Sequence, residues 1–302
     1  MIDISLTVIL AVVSLYMIIP DLLLHRLGIG SWKRQYNPGV SITFDDGPNP
    51  EFTPRILDIL DKHQVSATFF VVAENALKYP EIVKQIRERG HIIGAHSKYH
   101  RYAWFMFPLE TWREWEECIE ILENLTGDKI EWIRPPWGIF NLVSWWWMKT
   151  KNKQAILWNV AGHDWKLRSN EEQIVLRILS KTKEGSIILL HDSGGEAGAP
   201  ENTVRALDII CHKIVKEQKL PLIQLSFPDW SLKWLVLSLW GKWEHLFARL
   251  YGVDRIDCEN VVRLSRIRYK GTHLYDIDGQ LLAKTGDWVG EIHLDIAKKI
   301  IS

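Results

Sequence analysis

Val40-Ser41-Ile42-Thr43-Phe44-Asp45-Asp46-Gly47-Pro48 reads as a buried strand that delivers two adjacent carboxylates into a tight turn. Its apolar, β-branched half suits a strand covered on both faces, and Gly47-Pro48 ends it abruptly. Short runs of the same kind follow at residues 67–73, 91–96, 131–135, 155–160, 186–191 and 220–226. Helical patterns lie between them, at 53–63, 80–89, 109–125, 141–150, 170–183 and 201–218, with Gly90 placed as a C′ glycine. Alternating strands and helices predict a parallel sheet covered by helices, open or closed into a barrel.

The ionisable residues decide between those two forms. Asp45 and Asp46 end the first strand, His96 and His100 the third, and Arg134 the fourth; Asp164 follows the fifth and His191 ends the sixth. Five strand ends thus bring charge and imidazole to one rim, which is where the βα-loops of a barrel converge. The expected fold is therefore α/β: a distorted (β/α) barrel of about seven parallel strands.

The same rim suggests a metal. His96-Ser97-Lys98-Tyr99-His100 places two imidazoles four residues apart, able to face one ion, and a carboxylate from elsewhere completes a three-ligand site with open positions. Beside it, Asp45 and Asp46 can divide the labour, one binding the ion and the other acting as general base.

With these residues in hand the chain resembles the polysaccharide deacetylases, the family-four carbohydrate esterases. The matching motifs are Thr43-Phe44-Asp45-Asp46-Gly47-Pro48, His96-Ser97-Lys98-Tyr99-His100, Arg134-Pro135-Pro136-Trp137-Gly138, Asp164-Trp165 and Ile187-Ile188-Leu189-Leu190-His191. The resemblance implies removal of acetyl groups from N-acetylated amino sugars of a wall polysaccharide or related glycan. It also implies a divalent metal, zinc or sometimes cobalt or another ion. By the same resemblance Asp46, His96 and His100 bind the metal, and Asp45 is the base, held by Arg134. His191 is the acid, oriented by Asp164, while Pro136, Trp137 and Trp165 border the substrate and oxyanion positions. Two departures stand out: Trp137 replaces the usual Tyr, and Ala161 replaces the first acid of the usual Asp-x-x-Asp-Trp.

Composition sets the outer limits. The 302 residues carry 37 basic and 37 acidic side chains, so no net field draws a polyphosphate and nucleic acid is not an expected partner. Cys118, Cys211 and Cys258 read as buried reduced thiols. The 16 tryptophans suit a membrane interface or a sugar-stacking surface besides ordinary core use.

Three regions follow: a transmembrane anchor over 1–25, the deacetylase barrel over 38–228, and a Trp-rich helix with a small β-rich domain over 229–302. The anchor rests on the uncharged run 4–20, at the short end of what spans a bilayer. Arg26, Lys33 and Arg34 follow that run, so the positive-inside rule favours a cytoplasmic body. A wall polymer requires the opposite side, and large domains translocate regardless of flanking charge. The expectation is the external face of a bacterial cell membrane. An inward-facing enzyme would instead take a lipid-linked amino sugar. A catalytically weak glycan-binding protein, or a membrane-tethered protein working through its Trp-rich tail, is the alternative from another class. Oligomeric state is not legible.

Overall fold

The computed structural model describes residue 7, residues 11–226 and three strands of the tail. The chain divides into two compact units, 1–227 and 228–302. In the first, eight strands form one sheet: β1 (Ser31–Trp32), β2 (Ser41–Asp45), β3 (Thr68–Val71), β4 (Ile92–Ala95), β5 (Trp132–Ile133), β6 (Gln154–Ile156), β7 (Val160–Ala161) and β8 (Ile187–His191). The order is β1-β6-β5-β4-β3-β2-β8-β7, and every neighbouring pair is parallel.

This corrects the expected barrel of about seven strands. The two-residue β1 is too short to carry a pattern, and the run 155–160 is not one strand but two. Its halves sit near opposite ends of the sheet. Only residues 157–159 separate β6 from β7, a span of at most about 15 Å at 3.8 Å per Cα step. The sheet therefore curls until its ends nearly meet, yet no ladder joins β1 to β7. The connecting segment bridges this seam: Leu157 N–H donates to the Trp32 carbonyl (2.6 Å), and Asn159 Oδ1 accepts from Ile187 N–H (2.8 Å). The strand expected over 220–226 is reduced to one parallel bridge, Val40 to Leu222, beside Pro221, which has no N–H to offer a ladder.

Helices cover the sheet: α1 (Phe52–Lys62), α2 (Ala73–Lys78), α3 (Pro80–Glu88), α4 (Pro108–Thr126), α5 (Leu142–Thr150), α6 (Glu171–Leu179) and α7 (Ala199–Lys216). Their apolar stripes are the buried faces. Ile56, Leu57 and Leu60 of α1 are fully buried, as are Leu207, Ile210 and Ile214 of α7. Each such side chain contributes roughly 1.5–3 kcal/mol of transfer free energy. They lie in one core with Ile42, Phe44, Phe69, Ile188 and Leu190 of the sheet. Gly90 takes φ +79 after α3, as its C′ position requires. Cys118 and Cys211 are buried free thiols; Cys258 lies outside the described residues.

The amino-terminal expectation is corrected in part. Among the described residues no helix is long and apolar enough to cross a membrane. The segment forms π-helical turns, Ser14–Ile18 and Leu22–Arg26, around Ile19–Asp21. Part of it is fastened to the domain. Tyr16 Oη donates to the Met106 carbonyl (2.7 Å), Asp21 accepts from Phe140 N–H (3.3 Å), and Leu24 is buried. Leu15, Ile18, Ile19 and Leu22 stay exposed.

In the second unit β9 (Arg268–Lys270), β10 (His273–Tyr275) and β11 (Leu281–Lys284) form an antiparallel meander. The expected Trp-rich helix lies outside the described residues.

Candidate active site and metal centre

The carboxyl ends of β2, β4, β5 and β8 open into a cleft of about 610 Å³. Asp45, Asp46, His96, His100, Trp137, Trp158, Trp165 and His191 line it.

One oxygen gathers the metal ligands. Asp46 Oδ1 lies 3.2 Å from His96 Nε2 and 2.9 Å from His100 Nε2. The ligand atoms of Asp46, His96 and His100 all fall within 4.8 Å of one another. His96 Nδ1 lies 2.6 Å from the Arg134 carbonyl, which can only accept; Nδ1 therefore carries the proton and Nε2 presents a lone pair. Asp46 Oδ1 is buried without a hydrogen-bond partner, an orphan that a cation would satisfy. Burial would raise the Asp46 pKa, but the two imidazoles outweigh it and hold the carboxyl far below its usual range. Two imidazoles and a carboxylate fit a divalent ion with open positions.

Backbone strain gathers at the same place. Asp46 (φ 74), Ser97 (φ 63), His100 (φ 55) and Trp137 (φ 55) all occupy the left-handed region. Each costs about 1–2 kcal/mol, which the surrounding contacts must offset. Gly47 can only be glycine, since a Cβ there would run into the Asp192 carboxylate.

The second carboxylate is held differently. Arg134, completely buried, donates from Nη1 to Asp45 Oδ1 (2.6 Å) and to Thr43 Oγ1 (2.8 Å). Its Nε donates to the Ile156 carbonyl (2.9 Å) and Nη2 to that of Leu157 (3.3 Å), while Phe70 lies flat beneath it at 4.0 Å. Asp45 Oδ2 is left pointing to the His96 side, 3.7 Å from Nε2.

On the opposite wall, His191 Nδ1 lies 2.9 Å from Asp164 Oδ1, and His191 N–H donates to Asp164 Oδ2 (2.7 Å). Thr203 of α7 donates to that same Oδ2 (2.7 Å). Burial alone would lower the His191 pKa, but the Asp164 charge and hydrogen bond, with Asp46 and Asp45 beyond, raise it to about 9. The Trp137 ring lies tilted against His100 (4.4 Å) and Trp165 meets His191 edge-on (5.3 Å). Pro136 is buried and does not reach the cleft.

Residues 33–156 match the polysaccharide deacetylase family and residues 233–300 the YkoP domain. A peptidoglycan-N-acetylglucosamine deacetylase of Bacillus cereus is 40% identical over 171 residues, covering 57% of this chain and 61% of that protein. A second B. cereus protein of that name is 33% identical over 207 residues, covering 64% of this chain and 90% of its own length. The chain belongs to the polysaccharide deacetylase family. A crystal structure of a peptidoglycan N-acetylglucosamine deacetylase, bound to 4-naphthalen-1-yl-N-oxidanyl-benzamide, superposes with a TM-score of 0.60 at 35% identity. It covers 65% of this chain and 93% of that one.

Seven of the ten expected site residues thus line the cleft, Arg134 and Asp164 stand behind Asp45 and His191, and Pro136 is the exception. Sequence reasoning missed Thr43, Thr203, Trp158 and Asp192. The first two are buried hydroxyls that no spacing distinguishes from core threonines. Asp192 could have been marked, since it follows His191 directly. Burial pushes its carboxyl up to about 7, Thr53 opposing and the charges of Asp46 and Asp45 adding to the rise. His91 lies away from the site: it accepts from Ala67 N–H (3.2 Å) and serves the fold.

Proposed function

We propose that this deacetylase hydrolyses the N-acetyl group of N-acetylglucosamine residues in peptidoglycan or a chito-oligosaccharide-like glycan. One observation carries the reading: a cation-fitting triad shares a cleft with a carboxylate held by arginine and an imidazole held by carboxylate. Asp46, His96 and His100 would hold a divalent ion, which would supply Lewis acidity and a more acidic water near neutral pH. The donor set suits zinc or cobalt. Asp45 takes the proton from the attacking water, and Arg134 keeps its Oδ1 occupied so that Oδ2 faces the reaction. His191, protonated, gives its proton to the departing amine nitrogen. Acetate and a free amino sugar result. The Trp137 backbone N–H is the donor offered to the developing oxyanion, since those of Gly138 and Ile139 are bonded to the Pro135 and Pro136 carbonyls. Acetate release from peptidoglycan and from chito-oligosaccharides, abolished by chelator and restored by added zinc, is the expected result; no release from either substrate would refute the reading.

Because His191 acts in its protonated form, activity is expected to fall as pH rises through about 9. Asp164→Asn removes the charge that raises this pKa, so the alkaline limb moves to lower pH. A pH–rate profile with an unmoved limb in that variant would assign the acid to another group.

The uncharged run 4–20 and the exposed Leu15, Ile18, Ile19 and Leu22 support membrane attachment. A polymeric substrate supports an extracytoplasmic catalytic domain. Protease added to intact protoplasts is expected to digest that domain; protection until lysis would reverse the side.

A further inference from the structure

Behind Trp165 lies a second concavity of about 350 Å³, lined by His163, Lys166, Arg168, Ser169, Gln173 and Arg177. No acidic side chain lines it. Surface cations elsewhere in the domain are commonly paired: Arg55 with Glu201, Lys62 with Asp208, Arg87 with Asp128, Arg89 with Asp58. Lys166, Arg168 and Arg177 form no ion pair with any described carboxylate. Three cations converging without counter-charge repel one another, and the fold meets that cost here.

The groove is also built. Arg177 Nη1 is fixed by Ser169 Oγ (3.0 Å) and the Gly162 carbonyl (3.3 Å), and Ser169 is itself 2% exposed. Holding a guanidinium fork in place preserves its match to a planar or tetrahedral anion. His163 is presented to the groove from the left-handed region (φ 56). Burial lowers its pKa, and Arg177, Lys181 and Lys166 lower it further, with Asp164 opposing. Trp165 touches both this groove's His163 and the general acid. Its ring lies 4.8 Å from His163 on one side and 5.3 Å from His191 on the other. That is the reach of a substituent on a neighbouring sugar.

We propose that this groove binds an anionic group, carboxylate or phosphate, carried by the glycan beside the sugar being deacetylated. The proposal rests on the deacetylase reading of the cleft. Such an anion would be a stem-peptide or lactyl carboxylate, or a phosphodiester attached to the glycan.

The test uses the full chain and the double variant Lys166→Ala/Arg168→Ala, both side chains lying clear of the catalytic cleft. Calorimetry compares a peptidoglycan oligosaccharide with free carboxylates, the same fragment amidated, neutral chitotetraose and inorganic phosphate. The wild type is expected to bind the free-carboxylate fragment about tenfold tighter than the amidated one, a gap that salt narrows. The variant loses that gap and keeps its affinity for chitotetraose. Phosphate binding that the variant abolishes, without preference between the two fragments, assigns the groove to a phosphodiester. A wild type that ignores both anions overturns the proposal. So does a variant that loses neutral and charged ligands equally. Acetate release from chitotetraose is scored separately, so failure of the deacetylase reading leaves the anion result legible.

Discussion

Alanine at Asp46, His96 or His100 is expected to strip the cation and cut acetate release by about 10³-fold or more. Three protein ligands leave no redundancy, and the ion contributes several kcal/mol of transition-state stabilisation, at 1.36 kcal/mol per decade of rate. His96 has a further cost. Its Nδ1–H is the partner of the Arg134 carbonyl, so removing the ring also frees a buried acceptor beside the base. Elemental analysis after dialysis, alongside kcat/KM, checks the prediction. Full metal occupancy with normal turnover in any of the three variants would remove that residue from the centre.

Asp45→Asn is expected to keep the metal and lose about 10²–10⁴-fold in activity, because an amide cannot take the water proton. A second effect separates this variant from the metal ligands. Arg134 is completely buried and Asp45 is its carboxylate partner among the described residues. Neutralising that partner leaves an uncompensated guanidinium, which costs about 3–5 kcal/mol when a buried pair is broken. The variant should therefore unfold at clearly lower denaturant while binding metal normally at low denaturant. Unchanged stability would mean that the carbonyls of Ile156 and Leu157 and the Phe70 ring suffice for Arg134. Retained turnover would remove Asp45 as base.

What the sequence disclosed follows the strength of its local signals. The strands β2, β4 and β8 are apolar runs ended by chemistry, and their ends carry the site; spacing alone placed Asp46, His96 and His100 on one rim. Six of the seven helices were legible through their apolar faces, with ends displaced by a few residues; the six-residue α2 was too short to show a stripe. Residues 155–160 misled because a short, mostly apolar run does not record which neighbour each half will pair with. That depends on contacts from Trp32 and Ile187, far away in sequence. The amino-terminal run says less for a related reason: apolarity is shared by lipid-facing and domain-facing helices, and only Tyr16 and Asp21 hint at the second. Thr203 was illegible because its role depends on α7 returning to Asp164.

The segment that crosses the seam from β6 to β7 gives Arg134 a double allegiance. Its guanidinium grips the carbonyls on one margin of the gap with Nε and Nη2 and orients the base with Nη1. Where a closed barrel would be stitched by a ladder, here the segment 157–159 is pinned to Trp32 and Ile187, and Arg134 adds a side-chain grip on that segment while also serving the chemistry. Activity lost at position 134 therefore cannot be apportioned between catalysis and architecture by rate alone. Lysine would preserve the charge and still undo the grip, because one ammonium cannot span Asp45, Ile156 and Leu157 together. A polypeptide that braces its scaffold with its own catalytic machinery has little freedom to retune one without reshaping the other.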